Sequence, residues 1–189
     1  MLDRDSVHSN VLESLLNTLR DYDDKIDGHI ERISRYCELI APRFSLSDKQ
    51  ISDLMLLCKL HDIGKVCIPI EILNKVGKLT REEWASIQAH TEKGFQIAKS
   101  SKELADIAVL IKYHHERFDG NGYPEGISRE SIPFLSRILS VVDAYDSMLS
   151  ARPYRNALPP EYAMNELRSG AGSQFDPVVG SEFLQVLGE

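Results

Sequence analysis

Lys59-Leu60-His61-Asp62-Ile63-Gly64-Lys65 is the stretch around which the chain is organised. It places an imidazole beside a carboxylate at the end of an apolar segment, Ile51 to Leu60, with a cation three residues after the acid. Adjacent side chains on a helix point about 100° apart, so His61 and Asp62 reach one ion together only from the edge of a cleft. Imidazole and carboxylate together suit a divalent transition metal. The dipeptide alone is a weak signal, and its weight depends on the histidines that follow.

Length and composition are those of an ordinary globular domain. The 189 residues are enough for one domain with a sizeable core, and 42% of them are hydrophobic and 27% charged. The formal net charge of -7 argues against attraction of duplex DNA by the whole molecule. We therefore expect no nucleic-acid polymer as a partner, and an anionic ligand would need a local cationic or metal site.

Cysteine usage and hydropathy bear on the cellular compartment. The three cysteines, Cys37, Cys58 and Cys67, are odd in number and lack a paired metal-binding spacing, so we expect reduced thiols in the core. The sequence shows no signal peptide and no apolar run long enough to span a bilayer. These features predict a cytoplasmic protein without a membrane partner.

Helical periodicity precedes the central stretch. Five apolar residues at helical spacing predict a first helix: Val11, Leu12, Leu15, Leu16 and Leu19. This helix either packs on the core or connects to a dimer partner or an upstream sensor domain. A second helix, predicted from Ile26 to Ile40, carries His29 beside its apolar stripe. We expect residues 1–22 to form an N-terminal helix or linker packed on the domain, and residues 23–189 to form the domain itself.

Helix start signals continue through the rest of the chain. Capping boxes at Ser47-Asp48-Lys49-Gln50 and Thr80-Arg81-Glu82-Glu83 predict two helices, of which the second runs past His90 to Ile97. Another helix is predicted over 104–118, with two histidines near its end. Further helices are expected from Pro133 to about Leu149 and after Pro159-Pro160 and Asp176-Pro177. Strand signals are nearly absent, so the fold class is all-α.

Five of the six histidines lie on predicted helices beside apolar stripes: His29, His61, His90, His114 and His115. Any one of them would more often be a hydrogen-bonded core histidine than a metal ligand. Burying five polar rings without partners is expensive, however, so a shared ion site is the economical explanation. With Asp62 and Asp143 the set exceeds the needs of one four-coordinate ion. It therefore indicates two ions about 3.5–4 Å apart with a bridging carboxylate.

The series of motifs resembles the HD-GYP family of phosphohydrolases. It begins at His61-Asp62 with Gly64-Lys65 and continues through His90 to His114-His115-Glu116-Arg117 and Gly122-Tyr123-Pro124. Further matches are Ile132-Pro133, Asp143 followed by Asp146, Arg152-Pro153-Tyr154-Arg155 and Phe175-Asp176-Pro177. The resemblance covers the chain from about Asp23 to its end. It implies an HD-superfamily helical bundle with a metal centre in the cleft, and hydrolysis of cyclic dinucleotides in bacterial second-messenger signalling.

The resemblance also implies roles for individual residues. Matched by position, seven residues would be the metal ligands: His29, His61, Asp62, His90, His114, His115 and Asp143. Asp62 would bridge the two ions and Lys65 would contact the scissile phosphate, which makes these two the catalytic candidates. Arg152 and Arg155 would hold phosphate oxygens, although the family often has Lys where Arg155 stands. Asp146 is expected to orient a ligand rather than to bind metal.

The number and identity of the metals are treated separately. Some members of the family carry a Glu that recruits a third ion at the position of Lys25, one helical turn before His29. A protonated lysine cannot take that role, so we predict two divalent ions. The family usually holds iron or manganese, and histidine-rich ligation also admits zinc or nickel.

Several functional hypotheses stay open at this stage. Phosphodiester hydrolysis suits the site because coordination by metals lowers the pKa of water from about 15.7 towards 7. The first hypothesis is hydrolysis of cyclic di-GMP to pGpG, with or without further hydrolysis of pGpG to GMP. A variant has 3′3′-cyclic GMP-AMP as substrate, since no residue that reads the base excludes it. A mononucleotide phosphohydrolase fits the Gly-Tyr-Pro series poorly. The alternative from another class is a catalytically silent binding or adaptor module, which would be expected to lose ligands that this chain keeps.

The loop from Asp119 to Gly126 has two interpretations. Its three glycines permit a tight connection between helices. They also allow the backbone to approach a ligand closely, so that Tyr123 would stack on a base and contribute to substrate binding. The resemblance links Gly122-Tyr123-Pro124 to contacts with signalling proteins, so a protein partner at this loop, or a homodimer, is a further hypothesis.

Overall fold

The computed structural model of the protein describes residues 4–21, 26–151 and 156–188, with side chains from residue 12 onward. This part of the chain contains α-helices and short 3-10 helices and no β-strand. The all-α prediction is confirmed. The α-helices are α1 (Arg4–Arg20), α2 (Ile26–Ile40), α3 (Asp48–Leu60), α4 (Ile70–Leu73), α5 (Arg81–Gln88), α6 (His90–Ser100), α7 (Ala105–Lys112), α8 (Phe134–Leu149), α9 (Pro160–Ser169) and α10 (Pro177–Val186). The 3-10 helices cover Ala41–Phe44, Ile63–Cys67 and Arg129–Ser131.

One apolar core connects these helices. Helix α2 packs against both α3 and α8, α7 packs against α3, and α10 covers α8 and α2. The centre of this bundle consists of fully buried side chains such as Ile33, Leu57, Ile111, Leu139 and Phe183. Burial of each such side chain stabilises the fold by about 1.5–3 kcal/mol. The core therefore fixes α2, α3, α7 and α8 relative to one another, and these are the helices that carry or adjoin the candidate site.

The N-terminal helix belongs to the same core. Leu16 and Leu19 of α1 are buried together with Ile26 of α2. Helix α1 also packs against the 3-10 helix Ile63–Cys67, which follows His61-Asp62 directly. The first helix thus supports the segment that carries the central motif.

Local capping signals agree with the sequence-based expectations. Ser47 accepts a hydrogen bond from the Gln50 backbone N–H, and the Gln50 side chain accepts one from the Ser47 backbone, which completes a capping box. Thr80 and Glu83 form the same arrangement at the start of α5. Helix ends defined by contacts within four residues were predictable because no tertiary contact is needed to form them.

Two helix boundaries differ from the prediction. The helix expected from Thr80 past Ile97 is divided at Ala89 into α5 and α6. The carbonyls of Ile87 and Gln88 accept hydrogen bonds from the side chains of His90 and Thr91 at this point, and these bonds compete with the helical ladder.

The helix expected over 104–118 covers only Ala105–Lys112, so His114 and His115 follow it. Here the Nδ1 of His114 lies 2.6 Å from the carbonyl oxygen of Ile111. Each of the two helices therefore ends or restarts where a histidine side chain bonds to a nearby carbonyl.

The expectation that all three cysteines lie in the core is wrong for one of them. Cys37 and Cys58 are buried, whereas Cys67 is exposed at the end of the 3-10 helix Ile63–Cys67. The apolar periodicity of α3 stops before this residue, so no core-facing stripe includes it. None of the helices in the described part of the chain combines the length and apolar character required to cross a membrane.

Candidate metal centre

Two clusters of metal-ligating side chains lie among the helices. In each cluster the ligand atoms lie within 4.8 Å of one another. The four-donor cluster consists of Asp62, His90, His114 and His115, and the three-donor cluster consists of His29, His61 and Asp143. The structure therefore brings together all seven residues for which metal ligation was predicted.

Asp62 lies between the clusters and presents one carboxylate oxygen to each. Its Oδ1 is 3.4 Å from Nε2 of His90 in the four-donor cluster. Its Oδ2 is 3.4 Å from Nε2 of His61 in the three-donor cluster. Oδ1 is buried and accepts no hydrogen bond from the described residues. An unsatisfied buried carboxylate oxygen is costly, and a divalent cation would satisfy it, so the donor set fits the expected metals.

Three of the histidines are oriented by the same short-range contact. Nδ1 of His61, His90 and His114 lies 2.6–3.0 Å from the carbonyl oxygen of the residue three positions earlier. A carbonyl oxygen can only accept, so Nδ1 must be the donor in each ring. In a neutral ring with this contact, Nε2 has no proton and turns its lone pair to the cluster, as a metal ligand requires. A charged ring must first lose its Nε2 proton to bind a metal.

His29 is oriented by a side chain from another helix. Its Nδ1 lies 2.8 Å from Oδ2 of Asp146 on α8, and its Nε2 lies 3.4 Å from Oδ1 of Asp143. Burial opposes ionisation of Asp146, but hydrogen bonds from His29 and Arg32 outweigh it and hold the pKa of this carboxyl below its usual range. This geometry agrees with the interpretation that Asp146 orients a ligand.

Burial keeps the histidines of the four-donor cluster neutral. It lowers the pKa of His90, and burial together with the neighbouring His115 lowers the pKa of His114 well below the usual range. Burial and the nearby His90 lower the pKa of His115 to about 3. All three imidazoles are therefore in the protonation state that binds a cation.

His61 and Asp62, the central pair of the motif, are both charged, in contrast to the neutral histidines of the four-donor cluster. Burial opposes a charge on His61, yet the adjacent Asp62 carboxylate outweighs it and raises the pKa of His61 to about 9. Burial also opposes ionisation of Asp62, but Lys65 and His61 hold the pKa of Asp62 well below its usual value. The Nζ of Lys65 donates a hydrogen bond of 2.6 Å to Oδ2 of Asp62. Positive charge from Lys65 and His61 therefore stabilises the Asp62 carboxylate.

Tyr123 covers one side of the four-donor cluster. Its ring centroid lies 5.0 Å from that of His115 and 6.3 Å from that of His90. Burial raises the pKa of the Tyr123 phenol, which therefore stays protonated at neutral pH. The structure places this residue beside the predicted ligands.

The loop that carries Tyr123 is fixed by a buried carboxylate. Oε1 of Glu116 accepts hydrogen bonds from the backbone N–H groups of Glu125 and Gly126 at 2.8 and 3.0 Å. A Cβ at Gly122 would lie 2.3 Å from the backbone nitrogen of Arg117, so only glycine fits there. The close contact at Gly122 is thus with protein backbone, which supports the structural interpretation of this glycine, and close approach to a ligand stays a prediction.

Three residues to which the sequence analysis gave a role lie outside the described residues: Lys25, Arg152 and Arg155.

Two contacts in the site were not predicted from the sequence. Arg32, one helical turn after His29, bonds to Asp146, and Glu116 holds the Tyr123 loop. The helical spacing of His29 and Arg32 was a usable signal, whereas nothing local linked Glu116 to residues nine and ten positions later.

Comparison with known proteins identifies the family. The HD domain family profile matches residues 13–179, which is most of the chain. The chain belongs to the HD domain family. The HD-GYP assignment made from the motifs is confirmed, and the two donor clusters described above are the candidate metal centre of this HD domain.

Individual relatives point in the same direction. A cyclic di-GMP phosphodiesterase from Thermotoga maritima is 38% identical over 93% of this chain and 48% of its own length. The 3′3′-cGAMP-specific phosphodiesterase 2 from Vibrio cholerae is 34% identical over 94% of this chain and 34% of its own length. The chain thus spans half or less of these relatives. A solved HDG"Y"P protein from Bdellovibrio bacteriovorus shares the fold, with a TM-score of 0.71 and 21% identity over 88% of this chain and 54% of that one.

Proposed function

We propose that this HD domain is a metal-dependent cyclic-dinucleotide phosphodiesterase that hydrolyses cyclic di-GMP to pGpG. The observation that carries the proposal is the position of Asp62, with one carboxylate oxygen directed to each of two donor clusters. Two adjacent cation sites suit phosphodiester hydrolysis, because charge develops on both the attacking and the leaving oxygen. The Thermotoga relative, named a cyclic di-GMP phosphodiesterase, supports the choice of substrate.

The proposed cofactors are two divalent ions, which the four-donor and three-donor clusters would hold, and Asp62 would contribute one carboxylate oxygen to each. Iron and manganese are the first candidates, and the imidazole-rich donor set also suits zinc and nickel. Bound ions would supply Lewis-acid activation of water for attack at phosphorus. The chain's contribution is to direct Nε2 of His61, His90 and His114 toward the donor clusters through their Nδ1 hydrogen bonds.

The remaining roles concern the substrate. Lys65 would contact the scissile phosphate, and its side chain is 32% exposed, so Nζ can exchange Asp62 for a phosphate oxygen. Arg152 and Arg155 would hold further phosphate oxygens, since a guanidinium matches that geometry. Tyr123, stacked beside His115, would offer a ring edge or face to a guanine base. Residues 1–22 would be an N-terminal helix packed on the domain formed by residues 23–189.

A second candidate substrate is 3′3′-cyclic GMP-AMP. It is favoured by the Vibrio relative, whose name specifies that molecule and which is similar to 94% of this chain. Both substrates have the same phosphodiester backbone, which the proposed ions and cations would bind alike. The choice between them would depend on contacts to one base. A homodimer or a signalling protein bound at Gly122-Tyr123-Pro124 remains a proposal about partners.

Product analysis tests the activity and the substrate together. Protein loaded separately with Mn²⁺ and with Fe²⁺ is incubated with cyclic di-GMP and with 3′3′-cyclic GMP-AMP, and the products are separated by chromatography. We expect pGpG from the first substrate, and any GMP that follows reports a second hydrolysis. Metal content is measured on the same samples. A protein that holds two ions yet cleaves neither substrate would contradict the phosphodiesterase proposal and favour the binding-module alternative.

A further inference from the structure

The contacts that orient His29 include Asp146 and, behind Asp146, a further residue. The Asp146 carboxylate, which lies 2.8 Å from Nδ1 of His29, is only 1% exposed. A buried carboxylate is stable only where other groups satisfy its charge. Here the partner is Arg32, which lies one helical turn after His29 on α2 and about half of whose side chain is exposed.

The Arg32 guanidinium holds the carboxylate in one orientation. Its Nε donates to Oδ1 of Asp146 at 2.5 Å, and its Nη2 donates to Oδ2 at 3.0 Å. The same Nη2 lies 3.1 Å from the hydroxyl of Ser150, the residue that follows the end of α8. A two-point contact between a planar guanidinium and a carboxylate fixes rotation as well as distance. Oδ2 is therefore held where it accepts a hydrogen bond from the Nδ1–H group of His29.

We propose that Arg32 is a positioning residue that acts through Asp146 on His29 and thereby sets the divalent-cation affinity of the three-donor cluster alone. The inference rests on the proposed metal binding. Without Arg32, the Asp146 carboxylate loses its second partner and its fixed rotation. His29 can then rotate or move its proton to Nε2, which removes the lone pair that faces Asp143.

The four-donor cluster does not depend on this support. His90 and His114 are oriented by the carbonyl oxygens of Ile87 and Ile111 in their own segments. Those bonds involve neither α2 nor the end of α8. A change at Arg32 should therefore separate the two clusters, whereas general loosening of the fold would weaken both.

Metal titration of the full chain tests the proposal. Metal-free wild type and Arg32→Ala are titrated with Mn²⁺ by calorimetry, and bound Mn²⁺ is followed by electron paramagnetic resonance. We expect two ions in the wild type, with spin coupling between them. In Arg32→Ala we expect one affinity unchanged and the other lowered by about 10- to 100-fold, as is usual for loss of an outer partner. At limiting Mn²⁺ the variant should show the signal of an isolated ion.

Two further variants extend the test to the geometry. Arg32→Lys keeps the charge but not the two-point contact, so the affinity of the weaker site should recover only in part. Asp146→Asn is nearly isosteric, but its amide NH₂ must face either Arg32 or His29. Facing His29, it would donate to Nδ1 and force the proton onto Nε2. We therefore expect Asp146→Asn to weaken the same single site.

The chain offers a matched control in a second arginine–aspartate pair. Arg137 lies on α8, as Asp146 does, and bonds to Asp176 at the start of α10. Both of these side chains are largely buried. Arg137→Ala should lower the melting temperature and leave both Mn²⁺ affinities unchanged. If Arg32→Ala keeps both wild-type affinities, or weakens both sites equally, the proposal is overturned. A wild type that binds no Mn²⁺ would instead overturn the proposed metal centre itself, and with it this inference.

Discussion

The two donor clusters use similar ligands, and the difference between them lies in the support of one histidine, His29, because His61 of the three-donor cluster has the same carbonyl contact as His90 and His114. In the four-donor cluster, His90 and His114 are each 1% exposed and are oriented by main-chain carbonyls three residues away. In the three-donor cluster, His29 and Asp143 are 18% and 17% exposed. His29 depends on a carboxylate more than 100 residues away in sequence. Main-chain support forms as soon as the local turn forms, whereas side-chain support requires two helices to dock.

This difference indicates in which of the two clusters a substitution can change the orientation of a metal ligand. A carbonyl partner cannot be mutated, so the orientation of His90 and His114 persists as long as the turns persist. The partner of His29 is a replaceable side chain with its own replaceable partner. We expect variation in metal affinity among sequence variants to concentrate in the three-donor cluster.

The largest effect is expected from the residue that the two clusters share. Asp62→Ala removes the oxygen directed at His90 and the oxygen directed at His61 in one change. We expect bound metal to fall from two ions per chain to nearly none and hydrolysis to fall to background, while the helical circular-dichroism spectrum persists. Full metal occupancy with normal turnover would exclude a bridging role for Asp62.

Single-histidine variants should break the clusters one at a time. His90→Ala removes a ligand from the four-donor cluster, and His29→Ala removes one from the three-donor cluster. Each should cost one ion and weaken that site by more than the about 10- to 100-fold expected for an outer partner. Elemental analysis after dialysis against a weak chelator gives the count. Loss of both ions in either variant would mean that the clusters do not bind independently.

A backbone contact offers a more selective change on the side of the four-donor cluster. A Cβ at Gly64 would lie 1.8 Å from the carbonyl oxygen of His90 and 2.6 Å from the backbone nitrogen of Gly94. Gly64→Ala must push α6 away, which we expect to cost about 3 kcal/mol of unfolding free energy. Metal affinity should fall first in the four-donor cluster, as denaturation and Mn²⁺ titration would show.

Gly180 provides the control for that experiment. It lies within α10, and a Cβ added there would meet no atom within 4 Å. Gly180→Ala should therefore stabilise the protein by about 1 kcal/mol through helix propensity alone. If Gly64→Ala is as stable as Gly180→Ala, the close packing of the backbone at Gly64 would be contradicted.

The smallest effect on the metal centre is expected from the arginines. Replacing both Arg152 and Arg155 by Ala should leave two ions bound, because a guanidinium cannot ligate a cation. Substrate affinity should fall by about 1.5–3 kcal/mol for each charged hydrogen bond removed. Calorimetry with cyclic di-GMP on a catalytically slow metal form measures this. Unchanged affinity would assign these residues to the fold.

Much of the fold was predictable from contacts between near neighbours in sequence. The capping boxes at Ser47 and Thr80 and the proline at the start of α9 mark helix starts by local bonding alone. The division at Ala89 and the early end of α7 were missed because histidine side chains compete for carbonyls there. Helical periodicity contains no information about that competition.

The residues that form the candidate site were predictable from the sequence, whereas the contacts that orient those residues were less so. The ligand set followed from the motif series, and the structure brings all seven residues together. The helical spacing places Arg32 on the same face of α2 as His29, but no spacing rule indicates its partner Asp146, which lies 114 residues later on α8. The exposure of Cys67 was missed for a related reason, since burial depends on what packs over a turn.

The contact at Gly64 has one more consequence, which concerns ionic radius. Where the backbone at Gly64 touches the start of α6 without a side chain between them, close packing restricts how far Asp62 and His90 can move relative to each other. A site of fixed dimensions discriminates between cations by size, and a compliant site accepts several. The four-donor cluster should therefore select its ion by radius, and the three-donor cluster should take whichever cation the cell supplies.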